Sequence, residues 1–198
     1  MSLRLKMASE NIVAILLAAG SSRRFGKDKL LQRLPNNQTV VASTAANLKK
    51  ATSKVIAVIR PNHVQLENEL QALDIRMIVN QHAGSGMASS IVAGILASQE
   101  ADGWIVALAD MPWVKPETIV RIKEMLLQGK SLVAPLHENR RGNPVGFSRQ
   151  WKEQLLKLQG DLGARLLLTN NLEKLSTFTT DDKAILTDID YPGDLDHQ

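Results

Sequence analysis

The sequence contains no cysteine, which excludes disulfides, thiolate zinc sites and a cysteine nucleophile and agrees with a reducing compartment. Aromatic residues are scarce, with three Trp, three Phe and one Tyr. Few stacking platforms are therefore available to nucleic-acid bases, and the cations are scattered rather than gathered on one helix. No apolar run reaches the roughly 18 residues that a membrane helix needs. The four histidines, His63, His82, His137 and His197, stand far apart, with no pair at metal-ligand spacing. Residues 1–11, MSLRLKMASEN, carry charge but lack the apolar centre of a signal peptide, and they read as a frayed start. These absences point to a cytoplasmic protein that binds neither membrane nor nucleic acid.

What is present is ordinary in bulk and informative in order. The 198 residues are 44% hydrophobic and 22% charged, enough for one domain with a real core. A net charge of +4 and a pI near 9.4 suit a polyanionic ligand such as a nucleotide or phosphorylated metabolite. Continuous apolar runs of strand length lie at Ile12–Ala18, Lys54–Ile59, Ile75–Val79, Trp104–Ala109 and Leu132–Ala134. Between them the spacing predicts helices over Val40–Lys50, Asn62–Leu73, Met87–Ser98 and Pro116–Leu127. Runs without alternation are expected of parallel strands covered on both faces. We therefore expect a single α/β domain over residues 12–198, a three-layer, doubly wound and mostly parallel sheet of Rossmann type. After residue 135 the rhythm breaks into a polar stretch, LHENRRGNP, then Val145–Phe147, a helix over Arg149–Leu158 and a helix over Ala164–Asn170. A last strand is expected over Ala184–Ile189, leading into YPGDL.

The stretch Ile12–Lys29, IVAILLAAGSSRRFGKDK, carries the strongest signal. A buried strand opens into Ala18, Ala19 and Gly20, and behind them come Arg23, Arg24, Lys27 and Lys29. Small residues where a ligand must come close, with cations just beyond, are how α/β proteins hold polyphosphates. A solvated basic loop is the plainer alternative. The spacing is not that of a Walker A loop, since five residues separate Gly20 from Gly26 and Lys27 precedes Asp28. Nor is it the dinucleotide fingerprint, because Ser22 stands where its second glycine belongs.

Other special residues also fall just after strands. Asp110 follows the run WIVALA, where a carboxylate is costly to desolvate unless it meets a cation, although it could also serve as a turn or cap. In Thr187-Asp188-Ile189-Asp190, an inward Ile189 would put Asp188 and Asp190 on one opposite face. Such a pair calls for a divalent ion or for plain solvation. Asn80–Ile91, NQHAGSGMASSI, frees its backbone at Gly84 and Gly86 and sets Ser89 and Ser90 in the first turn of a helix, as an anion site or an ordinary cap. RRGNP (Arg140–Pro144) and GDLGAR (Gly160–Arg165) bring arginines that could fork onto phosphate, or else form a surface turn and a helix start.

Taken together, LAAGSSRRFGKDK resembles the signature of the molybdopterin nucleotidyltransferase family: Leu-Ala-Ala/Gly-Gly, a short linker, Arg-Met/Phe-Gly, then Lys. The resemblance runs in order from about Ile12 to Leu195. It implies that Leu17, Ala18, Ala19, Gly20 and Ser22 approach the nucleotide, with Arg24 and Lys29 as triphosphate-binding cations. Ala109-Asp110-Met111-Pro112 is similar to the family's Gly-Asp-x-Pro, whose Asp holds Mg²⁺, and the terminal segment is similar to Asp-x-Asp-Thr-Pro-x-Asp-Leu. Asp110 with Asp188 or Asp190 is then the implied metal set. Asn80, Gly86, Ser89 and Ser90 are implied to read base and ribose. Arg141, Gly142, Asn143, Pro144, Asp161 and Arg165 resemble the acceptor segments of the molybdenum cofactor cytidylyltransferases, with Asn143 in place of the commoner His. The implied reaction is transfer of CMP from CTP to molybdopterin, and Ala19 in place of a second glycine associates with CTP rather than GTP. The implied partners are CTP, molybdopterin or molybdenum cofactor, and a molybdoenzyme or its chaperone. Guanylyl transfer, another sugar- or alcohol-phosphate acceptor, and a non-enzymatic cofactor-delivery protein are the alternatives.

Overall fold

The computed structural model describes residues 11–20, 25, 27–161 and 163–196. The frayed start expected over residues 1–11 therefore lies outside the described residues, apart from Asn11. Eight strands form one sheet: β1 (Ile12–Ala18), β2 (Val55–Ile59), β3 (Arg76–Val79), β4 (Gly103–Leu108), β5 (Leu132–His137), β6 (Arg140–Arg141), β7 (Val145–Ser148) and β8 (Leu175–Thr179). Among the described residues six α-helices accompany them: α1 (Val40–Ala51), α2 (Val64–Gln71), α3 (Met87–Leu96), α4 (Pro116–Leu127), α5 (Lys152–Leu156) and α6 (Arg165–Thr169).

The strand order is β3-β2-β1-β4-β7-β5, with β1 parallel to both β2 and β4. The chain winds outward from β1 to β3, then crosses back through α3 to lay β4 on the other side of β1. That reversal opens a crevice at the carboxyl ends of β1 and β4, where open α/β sheets bind ligands. β1 is buried on both faces because its side chains alternate between two cores. Ile12, Ala14, Leu16 and Ala18 pack with α1, α2 and α4, while Val13 and Ile15 pack with α3, α5 and α6. The expected three-layer α/β architecture follows.

The second half departs from the strand positions that apolar runs suggest. β7 enters antiparallel between β4 and β5, so the sheet is mixed there. LHENRRGNP folds as a hairpin, with Glu138 and Asn139 both at positive φ (48° and 60°), as a two-residue turn between twisted strands requires. The last strand is not Ala184–Ile189: Lys183–Leu186 is a 3₁₀ turn, and the strand beside β5 is β8, Leu175–Thr179. LSTFT is an edge strand with only partly buried apolar side chains, so a search for continuous apolar runs passes over it. The expected helix Arg149–Leu158 is likewise shorter, a 3₁₀ turn over Arg149–Trp151 followed by α5.

The turn Lys183–Leu186 sits directly on Gly142. A Cβ on Gly142 would overlap the carbonyl oxygen of Ile185, the same oxygen that accepts a hydrogen bond from Asn143 N at 2.9 Å. Gly142→Ala should therefore lower stability by about 1–3 kcal/mol, the usual cost of overpacking against fixed atoms. Chemical denaturation of the two proteins measures it, and equal midpoints would show that the turn yields freely.

Candidate active site

Asp110 leaves β4 on a loop that α1 holds from behind. Thr44 Oγ1 donates to the Ala109 carbonyl (3.0 Å), Ser43 Oγ to that of Pro112 (3.3 Å), and Asn47 Nδ2 to those of Pro112 (3.0 Å) and Val114 (3.1 Å). The terminal segment docks on the same loop, because Ile189 N donates to the Asp110 carbonyl at 2.9 Å while the Ile189 side chain is fully buried. Asp194 accepts from Asp190 N (2.9 Å) and Tyr191 N (2.7 Å) and so holds the turn that follows. The inward Ile189 has the expected consequence without the expected strand. Carboxylate oxygens of Asp110, Asp188 and Asp190 lie within 4.8 Å of one another. Lys29, opening a 3₁₀ turn, reaches into this corner with Nζ 2.7 Å from Asp110 Oδ2 and 3.0 Å from Asp190 Oδ1.

The electrostatics follow from that crowding. Burial raises the pKa of Asp110 above its ordinary value; Lys29 opposes the rise and Asp188 adds to it. Burial alone would lower the pKa of Lys29, but Asp110 and Asp190 together outweigh it and hold the ammonium charged. Among the described residues three carboxylates meet one ammonium here, and Asp110 Oδ1 is buried with no hydrogen-bond partner among them. An all-oxygen corner with an unsatisfied acceptor fits a hard divalent cation such as Mg²⁺ or Mn²⁺.

A cleft of about 630 Å³ opens beside this corner. Leu17, Ala19, Gly20, Gly86, Ser90, Asp110, Asp161 and Asp188 of the expected site line it. Asn80 and Ser89 are not among its lining residues. The Asn80 amide donates to Ser89 Oγ (2.9 Å) and Ser90 Oγ (3.1 Å), and its carbonyl accepts from His82 N (2.9 Å), so it organises the loop before α3. A second cavity, about 470 Å³, adjoins the cleft along a wall shared by Met87, Leu108 and Asp161. Arg141, Gly142, Asn143 and Arg165 line it above an apolar floor that includes Val145 and Phe147; Pro144 faces a small neighbouring void. Beside this shared wall Gly86, at φ 99°, lets the 160–161 backbone come so close that a Cβ there would stand 2.6 Å from Gly160 O. Ser22 and Arg24 lie outside the described residues.

Residues 14–175 match the model of the MobA-like NTP transferase domain. The chain belongs to that family. Among its relatives, the purine catabolism protein PucB of Bacillus subtilis is 28% identical over 96% of this chain and 97% of its own length. A probable molybdenum cofactor guanylyltransferase of Chloroflexus aggregans is 29% identical over 60% of this chain and 55% of its own. Among solved structures, Rv0371c of Mycobacterium tuberculosis superposes with a TM-score of 0.79 at 24% identity, over 93% of this chain and 94% of that one. Another structure of Rv0371c is a complex with manganese.

Among the described residues the MobA-like chain also holds a charged cluster that reasoning from the sequence missed. Asp28 Oδ2 accepts from Arg60 Nη2 at 2.8 Å and from His63 Nε2 at 2.6 Å. Because a carboxylate only accepts, Nε2 carries the proton and Nδ1 is bare, which agrees with the buried Nδ1 having no partner. The 3.4 Å approach of Arg60 Nη2 to Nε2 is then two donors sharing one acceptor. Arg60 directly follows the apolar run VIAVI, and that position at a strand's carboxyl end was the available signal.

Burial lowers the pKa of His63 below its ordinary 6.5; Asp28 and Glu67 oppose the shift and Arg60 adds to it. Above pH 6.5 both folded and unfolded states hold the ring neutral. As pH falls below 6.5 the unfolded chain takes up the proton first, so stability declines until the lower folded-state pKa is passed. In thermal melts across this window, His63→Gln should remove part of that decline; identical pH slopes for the two proteins would contradict it.

Proposed function

We propose that the protein transfers CMP from CTP to the terminal phosphate of molybdopterin, with or without bound molybdenum, giving molybdopterin cytosine dinucleotide and pyrophosphate. The observation that carries the reading is that Asp110 and Asp188, of a carboxylate corner that Lys29 enters, line a cleft that adjoins a second, arginine-lined cavity. In this reading the first cavity takes the nucleotide, through Leu17, Ala18, Ala19, Gly20 and Ser22, with Asn80, Gly86, Ser89 and Ser90 shaping its base and ribose side. The second takes the acceptor, through Arg141, Gly142, Asn143, Pro144, Asp161 and Arg165.

An oxygen of the acceptor phosphate attacks the α-phosphorus of CTP in line. The bond from that phosphorus to the bridging oxygen breaks, and its electron pair leaves with pyrophosphate. The nucleophile is already anionic, so no protein group need remove a proton from it. Lys29 and Arg24 neutralise the charge growing on the leaving group, a preorganised electrostatic effect. Asp110 with Asp188 or Asp190 would hold Mg²⁺, which when bound neutralises triphosphate charge and acts as a Lewis acid. The shared wall of Met87, Leu108 and Asp161 keeps the two substrates adjacent, which converts a bimolecular encounter into a positioned one. A molybdoenzyme or its chaperone would receive the product.

CTP is preferred to GTP on the strength of Ala19. Its buried Cβ stands on the cleft wall, in room that a purine would need. The guanylyltransferase relative keeps GTP as the second reading.

Pyrophosphate release should appear with CTP and molybdopterin, at least about tenfold faster than with GTP, and Asp110→Ala should reduce it by about 100-fold or more. Silence with all four nucleotides in the presence of molybdopterin would refute the enzymatic reading. Ala19→Gly should narrow the preference for CTP, and equal incorporation of CTP and GTP by the unaltered protein would remove Ala19 as its determinant.

A further inference from the structure

We propose that Arg60 is a positioning residue that clasps both ends of the segment joining β1 to Lys29 and thereby sets where the Lys29 ammonium stands. Its guanidinium reaches one end through Nη1 to the Gly20 carbonyl (3.3 Å) and the other through Nη2 to Asp28 Oδ2 (2.8 Å). Asp28 is not a passive anchor. Its other oxygen accepts from Leu30 N (3.2 Å) and opens the 3₁₀ turn Lys29–Leu31, and its carbonyl accepts from Gln32 Nε2 (2.8 Å). Any rotation of the Asp28 carboxylate therefore turns the backbone that carries Lys29. His63 bonds the same Oδ2 at 2.6 Å from α2's N-terminal end, which limits that rotation.

The chemistry requires arginine. A planar fork can bond two acceptors on different residues at once, whereas an ammonium is a point donor that would satisfy one of them and lose the other. Arg60 also lines the proposed nucleotide cleft, so the clasp closes where a triphosphate would enter. An ordinary exposed ion pair contributes almost nothing. This one is only 30% and 18% exposed at its two side chains and is tied into a turn, so its loss should reach Lys29. The inference rests on the proposed reaction only for its kinetic arm.

The deciding experiment has two arms on the full chain. In the ligand-free protein, hydrogen exchange of residues 27–32 should quicken about ten- to hundredfold in Arg60→Ala, the scale of losing charge-assisted bonds. Arg60→Lys should show a smaller increase of the same kind, and α4 should not change in either. Unchanged protection of residues 27–32 in Arg60→Ala overturns the clasp, whatever the protein's activity. In turnover, Arg60→Ala should raise KM for the nucleotide about tenfold and leave KM for the acceptor alone, and adding Asp28→Asn should cost little more because the two act as a unit. Equal losses for nucleotide and acceptor, or fully additive losses, also overturn it. If Arg60→Ala does not fold, Asp28→Asn alone carries the same expectations in both arms. A protein without nucleotidyl transfer would refute the proposed function, and the exchange arm would still decide the clasp.

Discussion

Three carboxylates within reach of one another repel, and the corner where Asp110, Asp188 and Asp190 meet is tolerable because Lys29 stands among them. Most of the site can be understood as the means of bringing that one ammonium to those three acids. The acids come from opposite ends of the second half of the chain, and the lysine from the first loop. A hydrogen bond from Ile189 N to the Asp110 carbonyl, and the burial of Ile189, hold the two acidic segments together. The same gathering of carboxylate oxygens that draws in Lys29 is what suits the corner to a divalent cation.

The sheet provides rigidity for this arrangement. β1 and β4 are neighbouring, fully packed strands at the point where the winding reverses, so the loops that leave them open on one crevice. The loops themselves are held by side-chain bonds rather than by strands. Three residues of α1 fasten the loop after β4, the Asn80 amide fastens the loop before α3, and Arg60 with Asp28 fastens the approach to Lys29. A site whose charges must stand within a few tenths of an ångström needs such support, since loops without it sample many conformations.

Much of this was legible in the sequence, for a reason that can be stated residue by residue. Apolar runs such as VIAVI and WIVALA are required of strands covered on both faces, so the parallel half of the sheet reads directly. The residues just after such runs were then the places to look: Gly20 follows β1, Asp110 follows β4, and both line the cleft. The misses share a cause. LSTFT has no continuous apolar run because it lies at an edge, and Ala184–Ile189 looks like a strand although burial of Ala184 and Ile185 is achieved by a tight turn over Gly142. The bonds that bury the Asn80 amide against Ser89, Ser90 and the His82 backbone likewise leave no mark on the spacing of NQHAGSGMASSI.

By itself the sequence determined the layer architecture, the family, and which residue types stand at strand ends, because these depend on local pattern and on order along the chain. Only the tertiary structure decided which partners those residues meet. That Lys29 joins Asp110 to Asp190, that Arg60 closes on Gly20 and Asp28, and that two cavities share the wall of Met87, Leu108 and Asp161 all depend on contacts between distant segments. Such contacts are set by packing and by the match of donors to acceptors across space, and neither leaves a period or a spacing along the chain.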